Sequence, residues 1–422
     1  MFAAILIVQT PLAFADETKS ESAAPTDVIK AEGAEVEIVN ETVAPAVEPT
    51  YGSPIATRMR VGARVEAKGG EVRDVFIMVA VPLECPEQEV HVVEEDFSPN
   101  LGSVEFRNLP DVKLAEPGAR QMLISIPQLP ARQTASAVVT YEILTKHVYA
   151  PKETATLVIP PKAPKQLKTY LSGSPYINVN DRKIKDAIKE ALTQRVTKGA
   201  AGAEAAADAT SGEVTSPGDA VPSEGKETYE TVDAGTNAAP QEKPKPDVSP
   251  ELSSDANAEK KDESKLDPAE IEAAIQKLTD WQRVEALYDF VREKVKYLEG
   301  AEDMSSVQAL KAEKADCHGL SALFVAMCRT MKVPARMIWV DGHQYAEFYL
   351  EDEAGKGYWY PAQLAGTRAF GEMPMPMVIF QKGDNFRVPE RRRERLRYAT
   401  DHTTLSSSPK HKPRVVYVRE QL

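Results

Sequence analysis

Cysteine is scarce in this sequence: Cys85, Cys317 and Cys328 are the three in 422 residues. So small and odd a set excludes a disulfide framework and leaves at least one free thiol to explain. If Cys317 and Cys328 share a helix, eleven residues at the standard rise separate them by roughly 16 Å, beyond disulfide reach. Positive charge is also in deficit, with 51 Lys and Arg against 64 Asp and Glu and a net charge of -13. That balance excludes a nucleic-acid partner, because phosphate backbones are bound by clustered basic side chains in a positive field. The one basic cluster, Arg391 to Arg393 with Arg395 and Arg397, is interleaved with Glu390 and Glu394. It reads as a solvated helix face or tail. Long apolar runs are missing after Ala15, which excludes a membrane span from the mature chain. The Cys and His residues lack zinc spacing, and the acidic stretches lack the Gly-punctuated loop of a calcium site, so no metal or cofactor is expected.

What is present begins with an apolar stretch over residues 1–15 that closes on Ala13-Phe14-Ala15. This pattern predicts a cleaved signal peptide and a periplasmic or secreted protein. Residues 16–50, rich in Ala, Pro, Glu, Thr and Val, read as a disordered tether. Over residues 51–165 short alternating runs (Met59, Val61, Ala63, Val65; Met122, Ile124, Ile126; Val139, Tyr141, Ile143) are broken by Pro, Gly and Asn. They predict an antiparallel β-sandwich domain. His91 and His147 stand alone there and read as structural.

A helical period starts at Ile184, and residues 166–196 with 267–400 read as a second domain. Between them, residues 197–266 form an acidic stretch rich in Ala, Pro, Ser and Gly, too poor in apolar groups to offset ordering entropy: a disordered insertion. Asp267-Pro268-Ala269-Glu270 has the form of a capping box that restarts the helical pattern. Residues 401–422 are left as a C-terminal tail.

The chemistry concentrates at Asp316-Cys317-His318-Gly319-Leu320, which opens the strongest apolar helix of the chain. Asp316 suits the N-cap and Cys317 the first turn, where free backbone N–H groups and the dipole favour a thiolate. Cys328, on the apolar stripe of that helix, reads as a buried structural cysteine. Further on, His343 opens a strand. The hairpin centred near Glu353 or Ala354 reflects His343 onto Gln363 or one of the next two residues. A thiol nucleophile needs a base, and the base needs a third group to hold its ring. Cys317, His343 and Gln363 can fill these catalytic roles in that order. His318 is expected to line the cleft.

These elements, with Val333-Pro334-Ala335-Arg336 after the helix, Glu347 on the His343 strand and Trp359 to Gln363 on the next, resemble the core of the bacterial transglutaminase-like family. The resemblance spans about residues 270–365. It implies an α+β protein in which the N-terminal antiparallel β-sandwich precedes a papain-like core, its Cys-bearing helix packed on an antiparallel sheet. It also implies a thiol enzyme acting on amide or peptide bonds, by hydrolysis or acyl transfer through a Cys317 thioester. The partner would be a protein or peptide substrate, or a cell-envelope polymer. The chain departs from the family pattern at Gln363 (Asp in the family), Tyr345 (Trp), Ala315 (Gly) and Lys332 (Gly). A neutral amide can fix an imidazole tautomer but cannot stabilise an imidazolium as a carboxylate does. A catalytically weakened or inactive binding module is therefore the competing reading. Asp341 and Asp401 are substitute carboxylates to consider.

Overall fold

The alternating runs of the N-terminal half form long strands whose apolar rows face each other. They are β1 (Ile55–Glu66), β2 (Val72–Val81), β3 (Gln88–Phe97), β4 (Ser103–Leu109), β5 (Ala119–Leu129) and β6 (Thr134–Thr145). Met59, Val61, Ala63 and Val65 of β1 pack with Val75, Ile77 and Val79 of β2 and Met122, Ile124 and Ile126 of β5, closing a dry core between two sheets. Each such Val or Ile buried contributes about 1.5–3 kcal/mol. The computed structural model describes residues 46–109, 118–209, 267–399 and 401–422. The expected signal peptide, residues 16–45 of the expected tether and residues 210–266 of the expected insertion lie outside that set.

In the C-terminal half, α1 (Arg182–Ala209), α2 (Pro268–Lys277), α3 (Asp280–Lys294), α4 (Ser306–Ala312) and α5 (Cys317–Thr330) precede β7 (Ala335–Val340), β8 (His343–Glu351), β9 (Gly357–Gln363) and β10 (Ile379–Lys382). The capping box read at Asp267 is present, its carboxylate accepting from Ala269 and Glu270 amides. A second box at Thr279 starts α3. From Leu320 to Cys328 every side chain of α5 is buried. A helix apolar all round must be covered on all sides. Here α1, α3 and α4 flank it while Ala346, Phe348 and Leu350 of β8 and Tyr360 and Ala362 of β9 floor it. The fold is thus α+β, a sandwich followed by a cysteine-bearing helix on an antiparallel sheet. No helix among the described residues is long and apolar enough to cross a membrane.

Several boundaries differ from those expected. The two halves share one sheet: β9, β8, β7, β10, β5 and β2 run in that order, joined where Gln381 of β10 pairs with Ala119 of β5. Residues 401–422 are no tail but two strands, β11 (His402–Ser407) on β2 and β12 (Arg414–Gln421) on β1. Leu405, Val415 and Tyr417 pack on the sandwich core, and their alternation was masked by the charged and polar residues between them. Helix α1 continues past residue 196 to Ala209 because its last turns are alanine-rich, the composition with the best helix propensity. The tether ends earlier than residue 50: Val47 is buried, and its carbonyl accepts from Tyr360 Oη at 2.8 Å.

Candidate active site

Cys317 is the first residue of α5, held by the turn that precedes it. Asp316 caps the helix by accepting from the Gly319 amide at 3.0 Å. Gly319 lies so close to Ala315 that a Cβ there would meet the alanine methyl at 2.7 Å, so the first helical turn is clamped to the incoming chain. Cys317 is 8% exposed. The backbone N–H groups of Gln344, Cys317 and His318 lie toward the sulfur and lower its pKa. Burial, the largest influence, and the Asp316 carboxylate act the other way and win, so the thiol pKa lies above its ordinary value. This corrects the expectation of a resting thiolate: the helix terminus does favour the anion, but less than burial penalises it.

His343 opens β8 after a two-residue connection, Asp341-Gly342, with Gly342 at φ +67°. The amide that reaches Cys317 belongs to the next residue, Gln344, so the start of β8 lies against the N-terminus of α5. Burial lowers the His343 pKa; the Gln363 side chain beside the ring raises it, and burial prevails. In β8 and β9, Ala346 pairs with Ala362 and Glu351 with Gly357. That register centres the hairpin on Ala354 and sets Gln363 diagonally across from His343. His343 Nε2 and Gln363 Oε1 are both buried and have no completed hydrogen bond to any group. The Gln363 side chain thus lies beside the His343 imidazole. Nδ1 of His343 is not enclosed in this way.

Gln363 is fixed from behind by α3. Its carbonyl accepts from Tyr288 Oη at 2.7 Å and Arg292 Nη1 at 3.3 Å, while Arg292 also binds the carbonyls of Leu364 and Gly366 at 2.9 and 2.8 Å. Tyr288 was readable as a core residue of the α3 stripe. A buried phenol needs a partner, and that was the available signal. The substitute carboxylates stand elsewhere: Asp401 pairs with Arg419 at 3.1 Å and accepts from the Ala80 amide at 3.2 Å, and Asp341 is exposed on the hairpin tip. Cys328 is wholly buried and all three cysteines are free.

His318, expected to line the cleft, has surroundings that bring in residues sequence reasoning missed. Tyr398 Oη lies 2.6 Å from His318 Nδ1 and 3.1 Å from Gln344 Oε1, and Arg397 donates to the His318 carbonyl at 3.1 Å. Arg397, read as part of a solvated cluster, is buried: it pairs with Asp303 and lies over the Tyr176 ring at 4.4 Å. Spacing among charges alone could not distinguish this one arginine from its exposed neighbours. Tyr297, just before the α4 approach, is half-exposed and close enough to Cys317 for the thiolate to raise its pKa.

Residues 269–364, which carry Cys317, His343 and Gln363, match the family described as the transglutaminase-like superfamily. No curated protein matches the sequence. Among solved structures, a candidate cysteine protease from Cytophaga hutchinsonii aligns at 12% identity with a TM-score of 0.43, over 88% of this chain and 92% of that one. The match ends at Leu364, directly after Gln363, and Arg397 and Tyr398 lie outside it.

Proposed function

We propose that this chain is an exported thiol enzyme acting on amide or peptide bonds, with Cys317 as nucleophile, His343 as base and Gln363 as the group that orients the base. The observation that carries the reading is that the Gln363 side chain acts on the His343 imidazole while the amide next to His343, that of Gln344, reaches the Cys317 sulfur. Both partners rest neutral, so the thiol gives its proton to His343 as the sulfur attacks a carbonyl carbon. The C–S bond forms, the carbonyl π pair moves to oxygen, and its return expels the amine, which takes the proton from His343. Water or another amine then resolves the thioester. The cleavage pattern at Ala13-Phe14-Ala15 supports a periplasmic or secreted site of action.

One specific feature favours the alternative of a weakened binding module: Gln363 is neutral, and the thiol pKa is raised rather than lowered. Incubation with p-nitrophenyl acetate separates the two. An acetyl adduct mapped to Cys317, absent from Cys317→Ala, is the outcome for the enzyme. A Cys317 left unmodified while nitrophenol release matches buffer alone is the outcome for the module.

A further inference from the structure

The segment after the transglutaminase-like core holds Tyr398 against the site with more contacts than a surface loop needs. Gln381, wholly buried on β10, donates to the Arg397 carbonyl at 2.9 Å and accepts from the Ala399 amide at 2.6 Å, pinning the backbone on both sides of Tyr398. Arg397 binds the His318 carbonyl, and the Tyr398 ring packs edge-on against the His318 imidazole at 5.4 Å between centroids. A phenol has one hydrogen to give. With Gln344 Oε1 turned toward it the Tyr398 hydroxyl gives its hydrogen to that oxygen, and in this amide orientation the 2.6 Å contact with His318 takes a proton on His318 Nδ1. The other ring nitrogen, Nε2, then carries a lone pair. It has no protein partner, and it is not enclosed as His343 Nε2 is.

We infer that Tyr398 is a positioning residue that locks His318 in the Nδ1–H tautomer, making His318 Nε2 a second base of the thiol site, used to activate the acceptor that resolves the thioester. This rests on the proposed Cys317 chemistry. In the step, water or a primary amine attacks the Cys317 thioester carbonyl and its proton passes to His318 Nε2. The new C–O or C–N bond forms as the carbonyl π pair moves to oxygen, and the pair returns as the C–S bond breaks. The proton on His318 then neutralises the departing thiolate. Burial lowers the His318 pKa overall; of the charges around it, Asp316 and Asp303 favour its cationic form and Arg397 and His343 oppose it. His343, also lowered by burial, has only the neutral Gln363 amide beside it.

Two measurements on the full chain test this. Nitrogen-edited imidazole NMR of the unmodified protein is expected to show His318 protonated at Nδ1, and Tyr398→Phe is expected to lose that preference. A wild-type His318 protonated at Nε2 overturns the inference whatever the activity. With p-nitrophenyl acetate, Tyr398→Phe and His318→Gln are expected to keep the nitrophenolate burst within about threefold and to slow the following steady state at least tenfold. Added hydroxylamine should be used less well by both variants. Burst and steady state falling together, or neither falling, also overturns it while leaving the Cys317 reading intact. A wild-type protein with no burst at all removes both.

Discussion

The Gln363 side chain lies beside the His343 imidazole, and His343 Nε2 and Gln363 Oε1 are both buried without a completed hydrogen bond among the described residues. A carboxylate at position 363 would complete that contact with a charge. Gln363→Asp is therefore expected to raise the His343 pKa and to increase acylation of Cys317 by about tenfold or more. Gln363→Leu, which leaves Nε2 facing only hydrocarbon, should lower it by a similar factor. Burst rates with p-nitrophenyl acetate measure both, and a slower Gln363→Asp would show that the amide is an adapted part of the site.

The pKa directions set the pH dependence. His343 acts as a base only when neutral, and its pKa lies below the ordinary histidine value of about 6.5. Acylation should hold through neutral pH and fall as the pH drops through that lowered value. Folding follows the same sign: the unfolded chain takes up the proton first, so stability declines as pH falls past about 6.5 and stops changing for this group below the folded pKa. In the free protein, direct alkylation of Cys317 by iodoacetamide should become half-maximal only above the ordinary thiol value of about 8.5, because burial raises it. A half-maximum near pH 6 or 7 would mean a resting ion pair instead.

On the strand that bears His343, Glu347 accepts from Arg336 at 2.6 Å and Lys382 at 3.2 Å, and Lys382 also binds Glu87 of the sandwich half at 2.6 Å. Glu347 and Lys382 are both almost wholly buried. Lys382→Met leaves two carboxylates without a shared cation, and breaking one partner out of a buried cluster costs about 3–5 kcal/mol. Urea denaturation should register a loss of that size. A change under about 1 kcal/mol would show that the cluster is hydrated and weak.

Lys332 ends the α5 turn in left-handed conformation, φ +70°, where the family pattern has glycine. A side chain there costs about 1–2 kcal/mol. Lys332→Gly is expected to stabilise the fold by about 1 kcal/mol, less the extra freedom of glycine in the unfolded chain, read as a rise in Tm with unchanged acylation.

The sequence carried the parts of the fold that rest on local periodicity: the alternating β1 and β6, the capping box at Asp267, and the apolar α5 opening on Cys317. It also carried the hairpin arithmetic that brings Gln363 to His343, since β8 and β9 are joined by one turn and their register follows from its centre. What it hid was long-range. Strands β11 and β12 come home to β2 and β1 across more than three hundred residues, and nothing in their short alternation names a partner. Arg397 and Tyr398 reach His318 only because Gln381 pins their backbone, a contact no spacing rule encodes. The neutral resting thiol was hidden for a different reason: the helix terminus is visible in sequence, but the depth of burial that overrides it is not.

The most direct test is the nitrophenolate burst of the wild-type protein against His343→Ala at pH 7.5, with circular dichroism to show that both are folded. Loss of a positioned general base lowers such a step by about a hundredfold or more. A burst that titrates one acetyl group onto Cys317 in the wild type and slows by that factor in His343→Ala is the result expected. Equal bursts in the two proteins would contradict the pairing of thiol and imidazole.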